Sequence, residues 1–252
     1  MNATPIAGVI YVVRGLTLLR LPGLRTFVIV PLFVNVGLFG VAIFYAYRQF
    51  NVVLTWLEEL LPNWLHWLEW ILIPLFFLFV MFLLFFVSTL IANVLAAPFN
   101  TLLAEKVERH LTGCLLEGGS GFEDFLSSII PSLLNEVKKA TYFVCWTAVL
   151  MILFVIPGVN VFAPFVWILF SAWAIVVEYA DIPMSNRGLS GKQVRLMLQQ
   201  QRMVSFGFGA TGLLMTSVPF INFLAMPACV AGATIMCVER FAPDVDYVKG
   251  LR

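Results

Sequence analysis

Five consecutive residues, Pro22-Gly23-Leu24-Arg25-Thr26, combine what is needed to hold an anion: an approachable backbone, a helix start and a fixed positive charge. The N–H groups that open a helix have no acceptor within it, and the helix dipole places about half a positive charge there. Gly23 lets the backbone come close to a ligand, and Pro22 pre-sets the chain for the helix that follows. Arg25 adds a planar fork of donors, and Thr26 a hydroxyl. An anion, rich in acceptors, is the ligand that suits this set. The same arginine also fits a plainer role as an anchor at a membrane surface, and these five residues alone leave both readings standing.

The other polar candidates are scattered through apolar surroundings. Asn35 lies in the stretch that follows the PGLRT turn, Asn93 and Asn100 lie in a second apolar run, and Glu105 and Arg109 stand just beyond that run. Glu105 and Arg109 are spaced i, i+4 with the acid first, the favourable order for a helical ion pair, and a solvated helix end explains them as well as a polar path does. Asn160 and Asn222 occupy two breaks described below. Intramembrane polar groups often line a route for ions, but an asparagine also serves as an interhelical hydrogen bond or a helix cap.

Composition says what must position these residues. Of 252 residues, 61% are hydrophobic and 12% charged, against about 25% charged in soluble domains. Residues 26–47, 71–104, 140–177 and 203–238 contain no Asp, Glu, Lys or Arg. About 20 apolar helical residues cross a hydrocarbon core roughly 30 Å thick. The chain is therefore an integral membrane protein. Arg14 and Arg20 interrupt the first apolar stretch, which argues against a cleaved signal peptide. The net charge of +1 identifies no partner, and nothing points to nucleic acid.

Charge placement orients the chain. All Lys and Arg residues except Arg48 can share one side, whereas the segment 51–69 carries Glu58, Glu59 and Glu69 with no Lys or Arg. By the positive-inside rule both ends lie in the cytoplasm and residues 48–70 face out. In that segment Trp56, Leu57, Leu60, Leu61, Trp64, Leu65 and Leu68 recur at helical spacing, as in a helix lying on the outer leaflet.

The last two uncharged stretches are each broken at the middle, by IPGVN at 156–160 and VPFIN at 218–222. Both share Pro-x-(Val/Ile)-Asn, and both continue into an apolar arm with a further proline (Pro164, Pro227), then a glutamate (Glu178, Glu239). This is a weak internal repeat. The arms before the breaks, 140–155 and 203–217, reach roughly 22–24 Å, short of the roughly 30 Å core. Each stretch thus reads as a hairpin that enters from the cytoplasmic side and returns there. Irregular backbone at such depth must be buried in protein or line water, and short Pro/Gly-broken segments in corresponding repeats point to a transport pathway. Asn160 and Asn222 are expected to cap the returning helices. Lys138, Lys139 and Arg202 are expected as interfacial anchors, and Glu178, Asp181 and Glu239 to find partners among Arg187, Arg195 and Arg240.

The segments 21–35, 95–108, 156–188 and 206–243, in this order and spacing, resemble the CysZ family of bacterial inner-membrane sulfate transport proteins. The resemblance covers nearly the whole chain. It implies an all-helical homo-oligomer with two long transmembrane helices and two partly penetrating helix pairs, taking up sulfate for cysteine synthesis. It also implies that Gly23, Leu24 and Arg25 contribute to sulfate binding. Some relatives carry a second arginine where this chain has Thr26. Sulfite and thiosulfate, oxyanions of related form, stay open as further cargo.

Enzymatic chemistry finds no footing. His66 and His110 are the only histidines, there is no HExxH, GxSxG or GxxxxGK[ST] pattern, and no cofactor is expected. Cys114, Cys145, Cys229 and Cys237 lack metal spacing and read as small core residues.

The expected architecture is an all-α integral membrane protein in one membrane domain (1–252). It comprises an interfacial N-terminal helix (1–20), a first long transmembrane helix (22–50), an outer interfacial helix (51–69) and a second long transmembrane helix (70–110). A cytoplasmic segment (111–137) leads to a first hairpin (138–181). A second cytoplasmic segment (182–202), a second hairpin (203–240) and a cytoplasmic tail (241–252) follow. The function expected is sulfate permeation. The alternative is a membrane-embedded scaffold or bilayer-shaping protein.

Overall fold

Prolines and glycines set where the helices start and stop. In a computed structural model, which describes residues 4–60, 69–113 and 122–241, the chain is helical throughout, with no strand among the described residues. Helix α1 (Pro5–Leu18) opens with Pro5 in its first turn, after an extended Thr4. Residues 19–25 separate it from α2 (Thr26–Leu60), and α3 runs from Glu69 to Thr112. Next come α4 (Phe122–Val155), α5 (Ala163–Asn186), α6 (Gly191–Gln200), α7 (Arg202–Ser217) and α8 (Pro219–Met236), which passes into a π-helical turn at Cys237–Phe241.

The chain divides into two compact units, residues 29–99 and residues 1–28 with 100–252. The first holds most of α2 and α3. Here α2 continues unbroken to Leu60, past the change of element expected at 51. The remainder of the expected outer helix (Leu61, Trp64, Leu65 and Leu68, with His66) lies outside the described residues, as do Cys114 and the glycines at 118, 119 and 121. Phe39 and Phe85 bring α2 and α3 together, with ring centroids 6.1 Å apart.

The second unit contains a core built by α1, α5, α7 and α8. Helix α1 buries Ala7, Gly8, Tyr11, Val12 and Gly15, which fall on one helical face. That face meets α7 and α8 backbone to backbone. A Cβ on Gly8 would strike the Val204 carbonyl and the Phe208 amide, and one on Gly207 would strike the Pro5 carbonyl. At the other end of the contact, a Cβ on Gly15 would meet the Ala228 carbonyl, and one on Gly232 would lie 2.7 Å from the Tyr11 carbonyl. Gly209 makes the same close approach to Ala172 of α5. Small residues of this kind let helices associate where lipid supplies no hydrophobic drive.

The two broken stretches are helix pairs, as the breaks foretell. α4 and α5 are joined by 156–162, where Gly158 takes φ +83, and α7 and α8 by Val218 alone. Neither asparagine caps the returning helix. The N-cap of α5 is Phe162 and that of α8 is Val218, because the prolines at the first positions (Pro164, Pro219) already fix the helical start. Asn160 instead accepts the Ala163 amide with its backbone carbonyl, and Asn222 sits in the first turn of α8. α5 ends in a Schellman turn, with Gly188 at φ +80, the Leu189 amide on the Met184 carbonyl and the Gly188 amide on that of Ser185. Ser190 and Gln193 then form a capping box that starts α6.

Among the described residues, three helical segments, Val137–Val155, Ala163–Asn186 and Ile221–Phe241, are long and apolar enough to cross a membrane. Their exposed side chains include Val144, Met151, Phe165, Ile168 and Leu169, an outer surface suited to lipid. This is a membrane protein.

The glycine contacts generate a paired prediction. Gly209→Leu pushes α5 and α7 apart and should lower the melting temperature in detergent by at least several degrees, on the scale of an overpacked core. Gly40→Ala, where the added carbon meets nothing within 4 Å, should leave it unchanged or slightly raised. Equal melting of the Gly209→Leu and parent proteins would show that the close crossing is not needed.

Candidate functional site

The turn between α1 and α2 is built by residues 19–25. Leu24 is buried in the core of its unit, and Phe27 and Val28 pack against that core. Gly23, with φ +94, makes the reversal that lets Leu24 turn inward while Pro22, Gly23, Arg25 and Thr26 remain exposed. The amides are shared differently from a bare helix start. Those of Leu24 and Arg25 donate to the Leu21 carbonyl at 3.1 and 3.4 Å, and those of Phe27 and Val28 to the Leu24 and Arg25 carbonyls. Among the described residues, no backbone carbonyl takes the amides of Gly23 and Thr26. The donors left at this turn are therefore two backbone N–H groups, the Thr26 hydroxyl and the Arg25 guanidinium.

Arg25 differs from most arginines of its unit. Arg14 makes a two-pronged contact to Glu239 at 2.6 and 2.9 Å. Arg187 holds Glu108 through Nε and Nη2 at 3.0 and 2.6 Å. Arg240 donates to the Tyr11 hydroxyl and to Gln201, and Arg195 lies over the Tyr142 ring. No carboxylate engages Arg25 among the described residues.

The C-terminal end of α3 borders this turn. Its buried face is Leu103, Ala104, Val107 and Glu108, and Leu111 packs against the same core. Glu105 and Arg109 stand exposed on the other face, and it is Glu108 that pairs with an arginine. The Asn186 amide donates to the Thr101 carbonyl, a second tie between α5 and α3. Lys106 places its ammonium 5.0 Å from the centroid of the Phe27 ring, in the first turn of α2.

The remaining candidates are not gathered at this place. Asn100 is half-buried and reaches the Met226 sulfur at 3.5 Å, one turn beyond Asn222 on α8. Asn160 and Asn222 are exposed at or beside the two breaks. Asn35 and Asn93 lie on α2 and α3 within the other unit.

The carboxylates at the hairpin ends have other partners than expected. Glu178 and Asp181 both bind Lys139, at 3.0 and 3.2 Å, and Glu239 binds Arg14. Lys139 is no surface anchor: its side chain is 7% exposed. Lys138, next to it, is exposed as expected. The periodicity could have shown that Glu108 and Asp181 face inward, though not which cations meet them. Positions 103, 104, 107 and 111 are apolar, which puts 108 on the inward face, and 176, 177 and 180 do the same for 181.

The profile of the family described as sulfate transporter CysZ/etoposide-induced protein 2.4 matches residues 11–227. The chain is 37% identical over 236 residues to the sulfate transporter CysZ of Pectobacterium atrosepticum, covering 93% of this chain and 86% of that protein. It is 36% identical over 239 residues to the sulfate transporter CysZ of Salmonella typhimurium, covering 94% of each.

The buried pair yields a test of magnitude. Arg187→Ala leaves the Glu108 carboxylate buried without its partner and should cost about 3–5 kcal/mol. Arg14→Ala breaks a half-exposed pair and should cost about 1 kcal/mol or less. Denaturant titration of both variants in the same detergent checks the order, and an equal loss in the two would contradict it.

Proposed function

The chain belongs to the sulfate transporter CysZ/etoposide-induced protein 2.4 family, and we propose that it carries sulfate across the bacterial inner membrane for assimilation into cysteine. The observation that carries the residue-level reading is the exposed, carboxylate-free Arg25 at a turn whose Gly23 and Thr26 amides have no backbone acceptor among the described residues. Sulfate at neutral pH is a dianion with acceptors only. It fits a turn that offers a guanidinium fork, two amides and a hydroxyl at the start of a helix. Gly23, Leu24, Arg25 and Thr26 form this site, with Leu24 as the buried peg that seats it. Sulfite and thiosulfate share enough of the same shape and charge to compete.

In this reading α2 and α3, at 35 and 44 residues, are the two long transmembrane helices. At 1.5 Å per residue they reach roughly 52 and 66 Å, well beyond the hydrocarbon core. The helices of the hairpins are long enough to cross, but their uncharged parts, bounded by Lys139, Glu178 and Arg202, reach only about 22–24 Å; in this reading the tips at 156–162 and 218–222 therefore stop within the membrane. Partly inserted tips need protein or water around them, which argues for a homo-oligomer. Both termini are cytoplasmic, and Asn35, Asn93, Asn100, Glu105, Arg109, Asn160 and Asn222 are the candidate polar groups of a permeation route. Movement through such a route is channel-like, and no nucleotide chemistry drives it.

Reconstitution tests the function. Vesicles containing only this protein should take up labelled sulfate, and Arg25→Ala should slow uptake and weaken sulfate binding about 10- to 100-fold, the value of one charge-assisted contact of roughly 1.5–3 kcal/mol. No uptake by correctly inserted protein would favour a scaffold role. The topology has its own test. In a background without the native cysteines, Asn160→Cys should resist an impermeant thiol reagent added outside, and rapid labelling would place that tip on the outer surface.

A further inference from the structure

The Lys106 side chain is the one cation that another helix brings against the first turn of α2 among the described contacts, with its ammonium 5.0 Å from the Phe27 ring centroid. Side chains of a helix lean toward its N-terminus, so the Phe27 ring covers the turn before its own Cα, the segment holding Gly23 to Thr26. An ammonium seated on that ring is thus beside the turn. The ring contact leaves ammonium protons free to donate, since a Lys carries three. No carboxylate pairs with Lys106 among the described residues, although Glu105 and Glu108 flank it in sequence. Glu108 faces the core, where Arg187 neutralises it.

The backbone of Lys106 is also well fixed. Leu103 and Val107 on either side of it are buried in the core that holds Leu24. Glu108 and Thr101 tie the same end of α3 to Arg187 and Asn186. The exposed position of Lys106 is therefore a consequence of a rigid helix end, and its head group is held where α2 begins.

We propose that Lys106 is the second cation of the oxyanion site, donating from α3 to the same dianion that Gly23, Arg25 and Thr26 hold from α2. This rests on the reading of that turn as the sulfate site. The charge balance favours it: Arg25 and the helix dipole together supply about 1.5 positive charges against the two negative charges of sulfate, and Lys106 more than covers the shortfall. Lys106 accordingly sets preference for a dianion over a singly charged oxyanion of similar shape.

The test is equilibrium binding of sulfate and of perchlorate to the full-length protein in detergent, for the parent, Lys106→Gln, Lys106→Arg and Arg25→Ala. Lys106→Gln should melt like the parent, bind sulfate about tenfold more weakly and change perchlorate binding by less than about threefold. Lys106→Arg should retain most of the sulfate affinity. Parent-like sulfate binding by Lys106→Gln, with binding lost in Arg25→Ala, would overturn the role of Lys106 and keep the site. Parent-like binding by Arg25→Ala would remove the site and this inference together. Equal losses for sulfate and perchlorate in Lys106→Gln would overturn the claim of charge selectivity.

Discussion

Contact between helix backbones is the constraint on which the second unit rests. Where Gly8 meets Val204 and Phe208, Gly207 meets Pro5, and Gly209 meets Ala172, no side chain fits between the helices. In a bilayer, apolar side chains gain little by turning toward protein instead of lipid, so association depends on packing at short range and on polar contacts. The glycines supply the first of these. They seat α1 on α7 and α8 and draw α5 onto α7, and the turn at residues 19–25 inherits its position from the end of α1.

Charges supply the second contribution, and they act at the helix ends. Arg187 with Glu108 and Lys139 with Glu178 and Asp181 join α5 to α3 and to α4. Arg14 and Arg240 flank the Tyr11 ring, each 5.9 Å from its centroid, and fasten α1 to the π-helical turn after α8. Burying such groups is costly unless they are paired, and the pairs here fix which helix meets which at a defined register. Arg25 is exposed, and no carboxylate meets it among the described residues.

The sequence reading was strongest where physics acts locally. Uncharged runs identified a membrane protein, the Pro-x-(Val/Ile)-Asn breaks located the two helix pairs, and the Pro-Gly pair located the turn before α2. It was weaker where one helix end has two ways to close. Asn160 and Asn222 looked like caps, yet Pro164 and Pro219 had already set the helix starts. It failed for long-range ion pairs, because Glu239 with Arg14 joins residues 225 apart, a distance over which spacing carries no information. Of the candidate site, Gly23 to Thr26 could be read from types and order. That Lys106 would lean on Phe27 depends on how α3 is fixed by Arg187, which no local pattern contains.

The seating of α1 on α7 and α8 has a consequence for biogenesis. Gly8 and Gly15 must wait for partners roughly 200 residues further along the chain. At synthesis rates of about 5–20 residues per second, that is on the order of 10–40 s. During that interval α1 exists without its mates, and its apolar face (Ile6, Val9, Ile10, Val13) gives it a place to rest on the bilayer. The second hairpin then has to emerge and capture it. The turn between α1 and α2, near the start of the message, is completed only when the end of the message has been read.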